Sequence, residues 1–518
     1  MAIIDFFDRG WRINPEGDAY IQDDRTYTFT EAGELSCRIA NALLAEGFTT
    51  GTQGAVWSGN DATAWISTLG MWRANLACIP VDAHKAAESN RAILDDFDCE
   101  VVFFEAGLSQ VIAEVRSGLP KVRRWVCIDG EAPDAVSLED WIANQSAADP
   151  AVVVSLDDTV MLSSTGGTTG KPKGVLNTHR TVQTFVANFM LSLPYGADEN
   201  PVNLAAAPMT HTAGVLTLPA TARGGSVVIL PRPEAGAMLE KIPQHRITEL
   251  FLPPTVIYRL LEIPGIDQVD FSSLKYFLYG SAPMSVEKLR KALTVFGPAM
   301  TGIYGQTEAP ASISFLTPAE HFTDGAVAGD ERLSSVGRPT PLVRVEILDD
   351  HNRVLGAGET GEICVRGDLV MKGYYKAADQ TAQTIIDGWL HTGDIGHLDA
   401  EGYVHITDRK KDMIISGGFN VYPSEVEQVL WSHPAVQDCA VIGVPDADWG
   451  EAVKAVVELN PGESVSAEEL IALCKAKLGS VRTPKTVDFM DVLPRSSIGK
   501  VLKKDLRDTY WAHTSKAI

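Results

Sequence analysis

Met161-Leu-Ser-Ser-Thr-Gly-Gly-Thr-Thr-Gly-Lys-Pro-Lys-Gly-Val-Leu-Asn-Thr-His179 is the stretch whose reading decides the fold. An apolar, strand-like lead (Val160, Met161, Leu162) runs into Ser163, Ser164 and Thr165. Two glycines and two more hydroxyls follow, then Gly170-Lys171-Pro172-Lys173-Gly174. Glycines let backbone N–H groups approach a polyanion, hydroxyls donate hydrogen bonds, and lysines neutralise charge. The stretch therefore predicts a phosphate-binding loop with a triphosphate as guest. It is not the G-x-x-x-x-G-K-[ST] loop: Gly166 to Gly170 is one residue short, and Pro172 replaces the hydroxyl that would hold Mg²⁺. A residue before proline is also pushed away from helix. A Gly/Ser/Thr linker is the competing reading, but so many donors with paired lysines between two apolar strands argue against it.

At 518 residues the chain exceeds one core and predicts two or more domains. A hydrophobic content of 45% and a charged content of 21% are those of a globular protein. A net charge of -23 argues against a nucleic-acid surface, so the basic groups a nucleotide needs must be concentrated locally. No run reaches the about 18 apolar residues of a membrane span. The start, Met1-Ala-Ile-Ile-Asp-Phe-Phe-Asp-Arg, lacks signal-peptide character, and Ile3, Ile4, Phe6 and Phe7 are expected to dock on the chain's own core. The seven scattered cysteines read as small buried apolar residues in a reducing, cytoplasmic setting.

Residues 1–150 alternate strand-like and helix-like segments, predicting α/β layers with a mostly parallel sheet. Thr30 is expected to cap a helix carrying Leu35, Ile39 and Leu43 on one face and ending at Gly47. Trp57, Trp65 and Trp72 read as core rather than site. In 151–330, Asn203-Leu-Ala-Ala-Ala207 reads as a strand ending in Pro208-Met209-Thr210-His211. His211 then stands at a strand's carboxyl end, where open α/β sheets place ligands. Lys275–Tyr279 reads as a strand ending in the turn Gly280-Ser281-Ala282-Pro283. Gly302-Ile-Tyr304-Gly305-Gln306-Thr307-Glu308 is read as following a strand. Tyr304 offers a flat face to a purine, Thr307 a hydroxyl to a phosphate, and Glu308 a hard oxygen to Mg²⁺. Residues 331–408, Val336–Pro339 included, read as a smaller β-rich unit. Asp394, after Gly393, reads as a turn residue, and Asp408–Asp412 as a charged junction. From about Met413 a second domain begins, with strands at 440–444 and 452–459 and a helix at 467–478. Pro494-Arg-Ser-Ser-Ile-Gly-Lys500 frames a loop with Lys500 at its tip.

Ser164–Gly174 resembles the signature loop of the adenylate-forming superfamily, which includes acyl-CoA synthetases, firefly luciferase and peptide-synthetase adenylation domains. Tyr304–Glu308 resembles its second core motif, and the ordered motifs cover essentially the whole chain. Long-chain fatty acid–CoA ligases are the members it looks most like. The resemblance implies a large N-terminal domain (1–410) of layered α/β subdomains plus a β-rich subdomain. A small, mobile α+β C-terminal domain (411–518) follows. It implies ATP, Mg²⁺ and coenzyme A as cofactors and cosubstrates. The nucleotide would be bound by Ser164, Thr165, Gly166, Thr168, Thr169, Lys173, Gly280, Ser281, Ala282, Tyr304, Gly305, Thr307, Asp394 and Arg409. By the same resemblance Glu308 would hold the metal, Gly280–Ala282 would be a shelf against adenine, and Asp394 would accept the ribose hydroxyls. Arg409 would reach the nucleotide and Lys411 would be the hinge. Gly417 and Gly418 would line the pantetheine tunnel, and Trp449 would stack on CoA adenine, with simple packing an equal alternative. His211 would lie beside the acyl carboxylate. Lys500 would contact that carboxylate and the α-phosphate.

The implied activity is an AMP-forming acyl-CoA ligase of lipid metabolism. A carboxylate attacks the α-phosphate of MgATP to give acyl-AMP and pyrophosphate, and the acyl group then passes to CoA. Small residues at Thr212–Val215 and Ala309–Ala311 suggest a pocket for a medium- or long-chain fatty acid. An aryl or alicyclic acid and an adenylate-only enzyme are the alternatives. No aspartate near His211–Gly214 matches the group that peptide synthetases use for an α-amino group. A homodimeric assembly stays open.

Overall fold

The computed structural model describes residues 1–83, 85–165, 173–210, 212–410, 412–446, 449–495 and 501–511, with Asn420 as backbone only. Among these residues the strands form a nine-stranded sheet, an eight-stranded sheet, two five-stranded sheets and a two-stranded ribbon.

Side chains alternate across a strand, so a strand apolar at every position is buried on both faces. In Gln53–Ser58 of the eight-stranded sheet, Ala55 and Trp57 enter one core while Val56 enters another. Cys99–Phe104 repeats the split, with Val102 and Phe104 on one side and Val101 and Phe103 on the other. In the nine-stranded sheet Val227 and Ile229 share the core of Val56, whereas Val228 and Leu230 face a third core. One core therefore lies between the two large sheets, and helical layers cover their outer faces. The expected docking of Ile3, Ile4, Phe6 and Phe7 is seen: all four are buried there.

Both large sheets are mostly parallel, as expected; the nine-stranded sheet is antiparallel at both of its edges and the eight-stranded sheet at one. The helix Phe29–Ala45 is capped by Thr28, not Thr30. The Thr28 hydroxyl accepts the Glu31 N–H (3.1 Å) and the Glu31 carboxylate accepts the Thr28 N–H (2.8 Å). The wholly buried helix Ala62–Arg73 ends in Arg73, whose side chain is 2% exposed and is matched by Asp8 at 2.6 Å and Asp149 at 3.3 Å.

The β-rich unit is the five-stranded sheet built from Arg344–Leu348, Gly361–Arg366, Ile385–Ile386, Trp389–Leu398 and Val404–Arg409. Val345, Ile363, Val365 and Leu390 pack into the shared core. Arg338–Pro339 was expected in this unit; it is instead the edge strand of the nine-stranded sheet, paired with Ala309–Leu316. The second five-stranded sheet spans Ile414–Phe489 and has cores of its own on its two faces, Cys439 and Val441 on one and Ala440 and Ile442 on the other. The chain is thus a large α/β domain followed by a smaller α+β domain. All seven cysteines are free and buried. Among the described residues no helix is long and apolar enough to cross a membrane.

Two buried histidines are held neutral. The His179 Nδ1 accepts the Ile3 N–H (3.0 Å) and its Nε2 faces the Asn75 carbonyl oxygen (2.9 Å). His321 joins Thr317 O (2.8 Å) and the Tyr279 hydroxyl (3.0 Å). Burial, the largest cause in each case, lowers both from 6.5 to about 4. The unfolded chain then binds more protons in this window, so stability is lost as pH falls from 6.5 through about 4. Each histidine should contribute on the order of 2 kcal/mol to that loss. Urea midpoints measured between about pH 7 and pH 5 should fall with pH, and less steeply in His321→Gln; equal slopes in the two proteins would contradict this.

Candidate active site

The signature stretch closes an antiparallel hairpin. Thr159–Ser164 pairs with Gly174–Thr178 in a register that sets Ser164 opposite Gly174, and the Thr165 N–H donates to Lys173 O at 2.9 Å. Of the predicted site residues, Gly166, Thr168, Thr169, His211 and Lys500 lie outside the described residues, as does Lys411, the expected hinge.

The hairpin is keyed to the second motif. The Asn177 side-chain amide donates to Thr307 O at 3.1 Å. The motif does not follow a strand as expected. Its residues 302–306 are part of the strand Met300–Gln306, and Thr307 and Glu308 form the turn into Ala309–Leu316. A β-bulge separates Tyr304 from Gln306. Gly305 is required there, since a Cβ would stand 2.3 Å from Ala311 N. Tyr374 pairs with Val175 of the hairpin, and its hydroxyl donates to Glu308 Oε1 at 2.8 Å. The Lys173 ammonium lies 4.7 Å from the centre of the Tyr374 ring. Lys173, Tyr374 and Glu308 are thus one cluster. Burial and the Glu308 carboxylate push the Tyr374 phenol up, so it remains a donor.

Asp394 is not a turn residue. It lies within the strand Trp389–Leu398, and its side chain is 3% exposed. Its carboxylate accepts the Tyr304 hydroxyl at 2.6 Å and the Gln306 amide at 2.9 Å. Arg409, its cross-strand neighbour, brings Nε to 2.6 Å of the other oxygen. Burial, with Asp394 second, raises the Tyr304 phenol well above its ordinary value. The Tyr304 ring is itself buried, with no open face here, and its hydroxyl is held by Asp394.

Gly280–Ala282 leaves the carboxyl end of Tyr276–Tyr279, the strand paired with Met300–Gln306. Gly280 permits that approach, because a Cβ would meet Ile303 O at 2.6 Å. Ser281 has φ 68°, which turns the chain sharply away from the strand end. Ser164, Thr165, Lys173, Gly280–Ala282, Tyr304–Glu308 and Arg409 thus come from the final stretches of strands and the turns after them, or from beside them, and Asp394 from mid-strand reaches the same group through Tyr304, Gln306 and Arg409. Gly417, Gly418 and Trp449 are not joined to them by any hydrogen bond or ring contact among the described residues. They form their own group: Gly417 N–H donates to Trp449 O at 2.9 Å, and a Cβ on Gly417 would strike the indole at 2.4 Å. Trp449 is 44% exposed, with the Lys485 ammonium 4.8 Å from its ring.

Next to the position expected to be the hinge, Lys410 reaches Asp350 (3.2 Å) and Glu362 (3.5 Å) on the large domain. Asp412 is paired with Arg507 (3.0 Å) of the small one. Ser424 N–H donates to Asp408 at 2.8 Å across the junction.

A small cavity of about 30 Å³ opens in the shared core. Trp65, Trp72, Cys78, Met161, Met209 and Val215 are among its walls. Trp65 and Trp72, read as core from sequence, are therefore also cavity walls; Trp57 is core. Asn60 fixes one side of it. Its amide donates to Ala207 O (3.0 Å) and Leu230 O (2.9 Å), and its oxygen accepts the Met209 N–H (2.7 Å). Asn60, Asn177 and Tyr374 went unremarked in the sequence. Each is a lone polar residue whose partner lies far away in sequence, 149 positions for Asn60, 130 for Asn177 and 66 for Tyr374.

Residues 7–375 match the AMP-binding enzyme family, and residues 425–500 match the AMP-binding enzyme C-terminal domain. A medium/long-chain-fatty-acid–CoA ligase of Mycobacterium tuberculosis is 38% identical over 402 residues, covering 75% of this chain and 69% of that one. A feruloyl-CoA synthase of an Amycolatopsis species is 34% identical over 499 residues, 96% of each chain. The solved amide bond synthetase McbA of Marinactinospora thermotolerans superposes with a TM-score of 0.88 at 30% identity, covering 98% of this chain and 100% of that one. The chain belongs to the AMP-binding enzyme family and is an AMP-forming ligase of the adenylate-forming superfamily.

Proposed function

We propose that the chain is an acyl-CoA ligase that activates an apolar carboxylic acid through its acyl-adenylate. The observation that carries this is the convergence of two clusters on one strand end. Lys173, Tyr374 and Glu308 suit polyphosphate, and Tyr304, Asp394 and Arg409 suit a nucleoside. A thiol cannot displace oxide from a carboxylate, but it can displace AMP, so a phosphoryl site beside an acid pocket makes thioester formation feasible.

In this reading Asp394 accepts the ribose hydroxyls once Arg409 turns from it toward phosphate, work for which a half-exposed guanidinium is free. Ser164, Thr165, Gly166, Thr168, Thr169 and Lys173 hold the β- and γ-phosphates by hydrogen bonds and charge. Gly280–Ala282 and Gly305 give a purine backbone edges to lie against. Among the described residues no three metal-ligating side chains cluster. One carboxylate, Glu308, therefore fits Mg²⁺, which takes one or two carboxylates and completes its shell with phosphates and water. When bound, the ion supplies charge against the phosphates. Lys500 offsets the negative charge that builds as the carboxylate oxygen bonds to the α-phosphorus and pyrophosphate leaves. His211 borders the carboxylate. Gly417, Gly418 and the half-exposed Trp449 suit the arm and base of CoA, reached by a turn of the small domain (411–518) on the large one (1–410) about Lys411.

The cavity supports an apolar acid, because its walls are mostly indole, thioether and aliphatic, with Asp61, Thr68 and Thr210 the polar exceptions. A medium- or long-chain fatty acid fits the Mycobacterium relative and is the first reading. The feruloyl relative, which matches over 96% of both chains, favours an aryl acid as the second.

Purified protein given ATP, Mg²⁺ and a panel of fatty and aryl acids should release AMP and pyrophosphate only with an accepted acid, and acyl-CoA only when CoA is added. Release of ADP, or AMP release indifferent to every acid, would contradict the reading. Lys500→Ala should slow acyl-AMP formation by about 100-fold or more while sparing thioester formation from supplied acyl-AMP. Equal loss in both steps would count against its assigned role. Trp65→Ala enlarges the cavity and should move the kcat/KM ratio of longer to shorter acids upward by about tenfold; an unchanged ratio would mean that the acid does not enter there.

A further inference from the structure

We infer that Arg495 is a positioning residue for Lys500, an inference that rests on the role proposed above for that lysine. The strands Val436–Asp446 and Gly450–Leu459 set Asp438 directly opposite Glu458. Their side chains are 6% and 7% exposed. Two carboxylates so close and so buried repel unless a cation stands between them. Arg495 supplies it, with Nη1 2.7 Å from Asp438 and Nη2 2.9 Å from Glu458.

Each carboxylate is itself fixed. The other oxygen of Asp438 accepts the Trp431 indole N–H (3.0 Å) and the Cys439 N–H (2.8 Å). Glu458 also accepts the Leu493 N–H (3.0 Å). The guanidinium is therefore seated at two points on the rigid sheet, which a lysine's single ammonium cannot reproduce. The backbone of the same residue makes an antiparallel bridge to Val501, and Leu502 N–H donates to Pro494 O at 2.8 Å. That bridge brackets positions 496–500. The bridge ties Arg495 to Val501, the sequence neighbour of Lys500, and the guanidinium's seat ties that bridge to the small domain's sheet. Catalytic positioning is steep: a misplacement of about 1 Å from a change away from the chemistry can cost about 100-fold.

An ion pair that merely holds the small domain together would act on both half-reactions, because Gly417, Gly418 and Trp449 lie on that same domain. The test is Arg495→Lys beside Lys500→Ala, with each half-reaction assayed separately. Arg495→Lys should lower kcat for acid-dependent pyrophosphate release by about 10- to 100-fold, leave KM for ATP and acid unchanged, and keep thioester formation from supplied acyl-AMP within about twofold. Should Arg495→Lys unfold the small domain, Glu458→Gln keeps an acceptor while weakening one arm, and adenylation alone should fall about threefold. Matched losses in both half-reactions, or unimpaired adenylation in both variants while Lys500→Ala is crippled, would overturn the inference. Unimpaired adenylation in Lys500→Ala would overturn the role of the lysine first, and this inference with it.

Discussion

A carboxylate buried as deeply as that of Asp394 must be fully satisfied, because an ionised group left without partners in the interior costs several kcal/mol (about 3–5 when one partner of a buried pair is removed). Its partners come from two strands of different sheets. Tyr304 and Gln306 stand on a strand of the nine-stranded sheet, and Arg409 stands on the neighbour of Asp394 in the β-rich sheet. The requirement to satisfy one acid therefore fixes the β-rich unit against the nine-stranded sheet at the strand Met300–Gln306. It also leaves a polar, hydrogen-bonding surface where the strands end. Of the three partners, Arg409 is the charged one, and with its side chain 36% exposed it is able to exchange its partner for another anion.

The layering explains why that surface adjoins an apolar cavity. The two large sheets turn one face each toward a common core that holds the wholly buried helix Ala62–Arg73. Asn60, just ahead of that helix, is tied by three backbone hydrogen bonds to the strand ends at Ala207–Met209 and Leu230. The helix, carrying Trp65 and Trp72, is thereby held against the segment leading to His211. Polar chemistry at strand ends and apolar volume behind them is the arrangement an acid with an apolar tail needs.

Much of this could be read from residues alone, because the information was local. The Ser164–Gly174 stretch names its chemistry by composition, the helix Ala467–Leu478 falls at the expected bounds, and Ser285 caps the helix after Pro283. The misreadings were also local in cause. Thr28 and Thr30 are both good cap residues, and only the reciprocal bond to Glu31 decides between them. Asp394 follows a glycine with φ 71°, which reads as a turn although the strand runs through it. Long-range partners were not legible. Tyr374 meets Glu308 across 66 positions and Arg495 meets Asp438 across 57, and no periodicity records such pairings. Cavity walls are equally hidden, since a tryptophan facing a void and one facing a neighbour look alike in sequence.

The proposed chemistry stands on one bond: an oxygen of the acid joins the α-phosphorus and stays there when the thiol attacks the acyl carbon. An accepted acid labelled with oxygen-18 in its carboxylate, turned over with ATP, Mg²⁺ and CoA, tests this most directly by mass spectrometry of the nucleotide product. Each AMP formed should carry a single labelled oxygen from the acid, and the pyrophosphate none. Unlabelled AMP, or label in pyrophosphate, would contradict attack of the carboxylate at the α-phosphorus.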